Sequence, residues 1–250
     1  MKRPSCLPIL LALFFSVSIY AQDATEIVRK ADAKFNGEQS SYSEMNMTII
    51  RPKYQRNISF KGWATKGGKA LTVITAPAKE KGQSFLKSGS NLWNWNPTIQ
   101  RLIKLPPSMM SQGWMGSDFT NDDILKESSF VKDYRHKLLG EETVQGIRCY
   151  KIELTPLENT AVVWGKLILW ISTDDYLEMK SNFFDEDGYL VKTHLSSEIK
   201  SFDNRRLPSV IEIIPADEPE NKTKVTITAM RFNESYSEDV FTQQNMKRVK

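Results

Sequence analysis

From Ser41 onward, apolar and polar residues alternate with a period of two through most of the chain. Met45, Met47 and Ile49 alternate with polar residues up to Arg51-Pro52. Ile58, Phe60 and Gly62 follow, then Leu71, Val73 and Thr75, then Phe85, Leu92, Trp93, Trp95 and the run from Ile99 to Leu105. Breaks fall at Gly67-Gly68, Ala76-Pro77, Ser88-Gly89 and Asn96-Pro97. Side chains two apart share one face of a strand, and short strands at such even spacing predict an antiparallel meander curled into a sandwich or barrel.

The same period resumes after residue 145. Tyr150, Ile152 and Leu154 share a face, with Cys149 on the other. Leu167, Leu169 and Ile171 oppose Ile168 and Trp170, so this strand is apolar on both faces. Such a strand is covered on both sides, or one face looks into a cavity. Asp187-Gly188 predicts a two-residue hairpin turn. Val210 to Ile214 and Val225 to Ala229 supply the last long strands, joined by a polar loop, Pro215 to Asn221. The count comes to about ten or eleven strands.

Helical signals are few. Asp23 with Glu26 three residues on is a capping-box arrangement, and Ile27, Val28, Ala31 and Phe35 fall on one helical face that ends near Gly37. Thr120 with Asp123 starts a short central helix with Ile124 and Leu125 on its buried side. Ser237 caps a small C-terminal helix containing Val240 and Phe241. The fold class is therefore mainly β (α+β): a curled antiparallel sheet, as a sandwich or barrel, with an N-terminal helix and a short central helix. No Gly-, Ser- or Pro-rich linker divides it.

The stretch from Gly82 to Leu125 departs from this regularity. It holds three of the six tryptophans, Trp93, Trp95 and Trp114. Its second half does not alternate. Pro106-Pro107 ends any strand, and an oily loop follows with Met109, Met110, Trp114, Met115 and Phe119. Loops normally run over the surface, so one this apolar folds back over an apolar face or covers an apolar ligand.

At the N-terminus, Lys2 and Arg3 precede an apolar run from Leu7 to Tyr20, with Ala21-Gln22 as a cleavage point. This reads as a signal peptide over residues 1–21 and a single domain over 22–250, so the chain is expected to be exported. Cys6 lies before the apolar run, which is the wrong side for a lipid anchor. Without Lys2 and Arg3 the formal charge falls from +4 to +2, which argues against nucleic acid as a partner. Cys149 is then the sole cysteine, a buried small hydrophobe rather than half of a disulfide.

Signals for catalysis are poor. Two histidines, His136 and His194, and one cysteine have no metal-ligand spacing. Gly116-Ser117-Asp118 lacks the flanking glycine of a nucleophile elbow. The run Asp185-Glu186-Asp187-Gly188 fails the calcium-loop template, because Phe183 and His194 stand where ligands belong. No enzyme activity, cofactor or metal is expected. The aromatic and methionine residues carry more. Four of the nine methionines lie at two sites, Met45 with Met47 and Met109 with Met110, and flexible thioethers suit adaptable surfaces. The candidate ligand-lining set is Trp63, Phe85, Leu92, Trp93, Trp95, Met109, Met110, Trp114, Met115, Phe119 and Trp170. Alternatively, the tryptophans simply fill a core.

The order of elements, the run LWNWNP and above all GWMGSDFTNDDIL resemble the outer-membrane lipoprotein-sorting family, in its branch of periplasmic LolA-like carriers. The resemblance implies a half-open barrel whose concave face receives the acyl chains of lipoproteins or lipids. It also implies a lid-closing arginine, for which Arg101 is the candidate. A monomeric carrier of this kind takes cargo from an inner-membrane transporter and passes it to an outer-membrane acceptor. A lipid-sensing regulatory or accessory module of an envelope export or stress system is the alternative. A hydrolase using Ser117, His136 or His194 is a third.

Overall fold

The computed structural model describes residues 23–249 except Gly37, Ser90, Met110, Ser111, Asp122, residues 124–128, Asn159 and Ala161. The leader expected over residues 1–21 lies outside the described residues, as do Ile124 and Leu125. The chain opens with helix α1 (Ala24–Asn36), followed by β1 (Ser40–Arg51), β2 (Tyr54–Thr65) and β3 (Ala70–Ala76). Next come β4 (Ser84–Ser88), β5 (Asn91–Asn96) and β6 (Arg101–Lys104). Two 3-10 turns, Pro107–Met109 and Trp114–Gly116, precede β7 (Tyr134–Val144). The remaining strands are β8 (Ile147–Pro156), β9 (Lys166–Ser172), β10 (Glu178–Phe184), β11 (Leu190–Phe202), β12 (Arg205–Pro215) and β13 (Lys222–Phe232). A 3-10 turn at Glu238–Phe241 leads into a last short helix, α2 (Gln243–Met246).

These thirteen strands form one curled antiparallel sheet, in the order β6-β5-β4-β3-β2-β1-β13-β12-β11-β10-β9-β8-β7. Every neighbour is next in sequence except β1 and β13, which pair at the centre. The sheet is unclosed, with β6 and β7 as its two edges. The count exceeds the ten or eleven strands read from the sequence. The strand that alternation does not announce is β7, which is buried only at its ends, Tyr134 and Val144. An edge strand pairs on one side alone and need not carry an apolar face. The turn between β10 and β11 also differs from the two-residue reading. It spans residues 185–189, with the Asp185 N–H donating to the Tyr189 carbonyl at 3.0 Å and Gly188 at a φ of 85°.

Register decides which residues share a face, because directly paired residues point to the same side. Ile58 pairs with Met47, Met47 with Val225, Val225 with Ile211 and Ile211 with Ser196. His194, two residues from Ser196, pairs with Ser181; Ser181 pairs with Leu169, and Leu169 with Ile152. All these residues thus form one inner face. Its apolar part comes in two clusters. Helix α1 covers one, through Ala24, Ile27 and Val28 against Ile152, Leu154, Leu167, Leu169, Ile171 and Phe183. The N-terminus of α1 is capped by Asp23, whose carboxylate accepts from Thr25 N–H at 3.0 Å. Glu26 does not close the predicted capping box; it pairs with Arg29 instead. The Phe35 side chain lies outside the described residues.

The outer face is closed by the C-terminal segment. Trp63 pairs with Leu71, Leu71 with Leu86 and Leu86 with Trp93. Phe241 and Met246 complete this cluster, and Ser84 Oγ donates to the Met246 carbonyl at 2.6 Å. Ser237 caps the 3-10 turn as its sequence suggests, accepting from Asp239 N–H. Cys149 is fully buried, and burial pushes its thiol up to about 11. Among the described residues no helix is long and apolar enough to cross a membrane.

Candidate functional site

The second inner-face cluster lies under the oily loop. Its floor is Met47 and Ile49 from β1, Ile58 from β2, Ile74 from β3, Phe85 from β4, Leu92 from β5 and Val225 from β13, with Met45 and Phe60 beside them. The chain leaves edge strand β6, continues its ladder for one residue (Leu105 N–H to the Leu92 carbonyl, 2.8 Å), and then folds back across this floor. Two backbone bonds pinch residues 112–121 into a lobe: Trp114 N–H to the Phe119 carbonyl at 2.6 Å, and Asn121 N–H to the Gln112 carbonyl at 3.0 Å. Inside it, Met115 and Gly116 adopt φ values of 55° and 77°. Gly113 is required by close approach, since a Cβ there would meet the Ser117 carbonyl oxygen at 2.5 Å. The hairpin-like lobe drives Trp114 into the floor, where it is 3% exposed. Its ring meets Phe60 edge-on at 5.5 Å between centroids and Phe85 at 5.3 Å. Among the described residues the buried Trp114 Nε1–H has no hydrogen-bond partner.

Polar groups from the sheet hold the lobe down. Arg51 forks onto Asp118 at 2.9 and 3.1 Å and also donates to the Gly116 carbonyl. Thr223 Oγ donates to the same carboxylate at 2.7 Å, while Asp118 N–H donates to Thr223 Oγ. Arg56 donates to the Met115 carbonyl at 2.7 Å and pairs with Glu80 at 2.5 Å. At the far end, Thr120 and Asp123 form a reciprocal capping box, as the sequence suggests: Thr120 N–H reaches Asp123 at 2.7 Å and Asp123 N–H reaches Thr120 Oγ at 3.1 Å. Asp123 also pairs with Lys192 of β11 at 2.6 Å. Burial works to raise the Asp123 pKa, but the ammonium and hydrogen bonds of Lys192 and the Thr120 N–H outweigh it, so the carboxyl sits below its ordinary value.

The eleven candidate residues therefore separate. Phe85, Leu92, Trp114, Met115 and Phe119 meet in the lid cluster. Met109 is half-buried in the first 3-10 turn, its carbonyl accepting from Asn121 Nδ2 at 2.9 Å, and Met110 lies outside the described residues. Trp63, Trp93 and Trp95 pack on the outer face beneath the C-terminal segment, with Lys247 5.5 Å from the Trp95 ring centroid. Trp170 also faces outward, alternating with Leu169 and Ile171, and its Nε1–H donates to Glu142 at 2.8 Å. The expectation of one surface shared by Trp93, Trp95 and the loop is thus corrected. On β5 it is Leu92 that points inward, so its neighbour Trp93 and, two further on, Trp95 point outward.

Arg101 is corrected as well. It is exposed on edge strand β6, and the arginines that reach the lobe are Arg51 and Arg56. These two, with Asp118, Asp123, Lys192 and Thr223, join the site without belonging to the candidate set. Their signal was available: Arg51 falls in phase with Met45, Met47 and Ile49, which is an inward position. The three candidate nucleophile and base residues each make local contacts. Ser117 Oγ donates to the Trp114 carbonyl at 2.7 Å. His136 lies 3.1 Å from Thr25 of α1 and 2.7 Å from the Phe130 carbonyl. His194 packs against Phe183 at a tilt of 44°, with centroids 4.4 Å apart. Among the described residues no group of three or more His, Cys, Asp or Glu side chains is placed to hold a metal ion.

A protein-family model described as an uncharacterized protein matches residues 66–248. The chain belongs to that family. Solved structures agree over nearly the whole chain. A DUF1329 family protein from Desulfovibrio piger is 24% identical with a TM-score of 0.81, covering 89% of this chain and 97% of its own. An outer membrane lipoprotein-sorting protein domain from Vibrio parahaemolyticus is 23% identical with a TM-score of 0.77, covering 90% and 98%. A LolA superfamily protein from Nitrosomonas europaea is 24% identical with a TM-score of 0.72, covering 88% and 98%. The fold is that of LolA-like proteins. No curated protein matches the sequence.

Proposed function

We propose that this protein is a periplasmic carrier that receives the acyl chains of a lipoprotein or lipid on the inner face of β1–β5 and β13. The lobe of residues 112–121, with Asp123 beyond its end, acts as the lid. Cargo comes from an inner-membrane transporter and goes to an outer-membrane acceptor, and no catalytic step is involved. The observation that carries this is the construction of the lid: an apolar lobe on an apolar floor, held at its rim by Arg51, Arg56 and Lys192. Each buried methylene of a cargo chain contributes about 0.8 kcal/mol, so a carrier must match a membrane's apolar area and still release. A cover that exchanges side chains for acyl chains does both. The indole N–H of Trp114, without a partner among the described residues, supports it, since a buried donor without an acceptor costs about 1–3 kcal/mol and leaves the closed lid short of its best packing.

Native mass spectrometry of protein purified from periplasm without detergent, followed by solvent extraction, tests this. Bound acylated species are expected. Uptake of a fluorescent fatty acid should fall in Phe60→Ala, on the inner floor, and stay unchanged in Trp93→Ala, on the outer face. A bare mass together with no uptake would overturn the carrier. Uptake without transfer from donor to acceptor vesicles would instead favour a lipid-sensing module.

A further inference from the structure

Between the two apolar clusters, the inner face carries a polar seam on β10 and β11, of which Ser181, His194 and Lys192 are part. Lys192 is its charged member. It is 5% exposed, and its ammonium stands 4.9 Å from the Trp164 ring centroid and 5.2 Å from that of Phe183. These two rings touch each other edge-on at 5.2 Å and belong to the α1-covered cluster, so the cation sits at the edge of that cluster, while nearby His194 meets Phe119 of the lid at 6.2 Å between centroids. Its ion-pair partner in the structure is Asp123, which the Thr120 capping box fixes at the end of the lid. The cation belongs to the sheet and the anion to the cover.

That division has a consequence when the lid lifts. Asp123 leaves with it, and a buried ammonium without an anion is costly. The aromatic faces of Trp164 and Phe183 offset part of that loss but supply no hydrogen-bond acceptor oxygen. A ligand that brings its own anion restores the pair. Lys192 is a compact point charge and takes a carboxylate or a phosphate alike.

We infer that Lys192 is a headgroup site: it binds the carboxylate or phosphate of an anionic amphiphile whose acyl chain lies on the Met45, Met47 and Phe60 floor, and Asp123 occupies that site when the lid is closed. This rests on the carrier reading and specifies its cargo as anionic.

The test compares binding of cis-parinaric acid, its methyl ester, oleoyl lysophosphatidic acid and inorganic phosphate to the mature chain. The acid is expected to bind at least about tenfold more tightly than the ester, equivalent to roughly 1.4 kcal/mol. Lysophosphatidic acid should displace the acid, and inorganic phosphate alone should not. Lys192→Met should abolish the preference for the acid over the ester, while Lys192→Arg should keep it. Asp123→Asn weakens the closed lid and should raise the affinities of acid and ester together while keeping the preference for the acid; Lys192→Gln decides the matter if Lys192→Met fails to fold. Equal binding of acid and ester, or a preference that survives Lys192→Met, would overturn the inference while leaving the carrier intact. Displacement by inorganic phosphate would make the site one for free anions, and would also overturn it. Failure of both the acid and the ester to bind would instead remove the carrier reading itself.

Discussion

Helix α1 lies on one half of the inner face through Ala24, Ile27 and Val28, and these residues merge with the core of β8 to β10. The lid lies on the other half through Trp114, and a ring of charges around that single plug ties it to the sheet. Both covers bury apolar surface against the same curled sheet. They differ in what must be broken to remove them. Lifting α1 exposes two fully buried aliphatic side chains at once and gains nothing in exchange. Lifting the lid exposes the Trp114 indole with the half-buried Met115 and Phe119, and hydrates ions that water also solvates well. The two-cover plan therefore assigns permanence to one half of the sheet and exchange to the other.

The sharpest way to break this contrast is Ile27→Ala. It removes a fully buried side chain from the permanent cover and should lower global stability by about 3 kcal/mol in urea denaturation. A loss under about 1 kcal/mol would mean that α1 is as loosely held as the lid. Arg51→Ala comes next. It leaves the mostly buried Asp118 carboxylate without its cation, and should destabilise the closed lid by about 2 kcal/mol. Hydrogen exchange should quicken across residues 112–121 and stay unchanged in α1; equal quickening in both would erase the distinction.

A third test uses acid. Because the Asp123 carboxyl is held below its ordinary value, its pairing with Lys192 stabilises the closed state fully above the usual aspartate range, near pH 3.9. That contribution is lost as the pH falls through the depressed value. Trp114 fluorescence, isolated by replacing the other tryptophans, should report lid release below that range when Asp123 is kept. The acid step should shrink in Asp123→Asn; an identical step in both would assign the release to other groups. The smallest expected effect is that of Trp114→Phe. It deletes the buried donor that has no partner while keeping a ring against Phe60 and Phe85, so the stability change should stay below about 1 kcal/mol. A change several times larger would show that the indole N–H is satisfied.

Much of this architecture is legible in the sequence. The period of two announces most strands, the spacing of Ile27, Val28 and Ala31 announces α1, and the non-alternating run after Pro107 announces the lid. What escapes is whatever depends on pairing at long range. Leu92 and Trp93 are both large and apolar, and only their partners on β4 show which of them faces inward. Arg51 and Asp118 are 67 residues apart, and Lys192 and Asp123 are 69 apart, so no local pattern connects the groups that hold the lid. Edge strand β7 escapes for the opposite reason: with a single strand neighbour and little burial, it has little need of an alternating pattern.

The pairing of β1 with β13 bears on how the molecule is assembled in time. Strands β2 to β6 add outward from β1 by hairpins, and β12 back to β7 do the same from β13, so each wing needs only near neighbours. The seam that joins them, from Ser41 opposite Phe232 to Ile50 opposite Lys222, closes a loop of nearly the whole chain. Contacts at such separation form late, since the entropy of closure comes before any return. Until the last strand is available, each wing carries one bare ladder of N–H and C=O groups on β1 or β12, which other chains can join. The centre of the finished sheet is thus the place where an unfinished one is most exposed to aggregation.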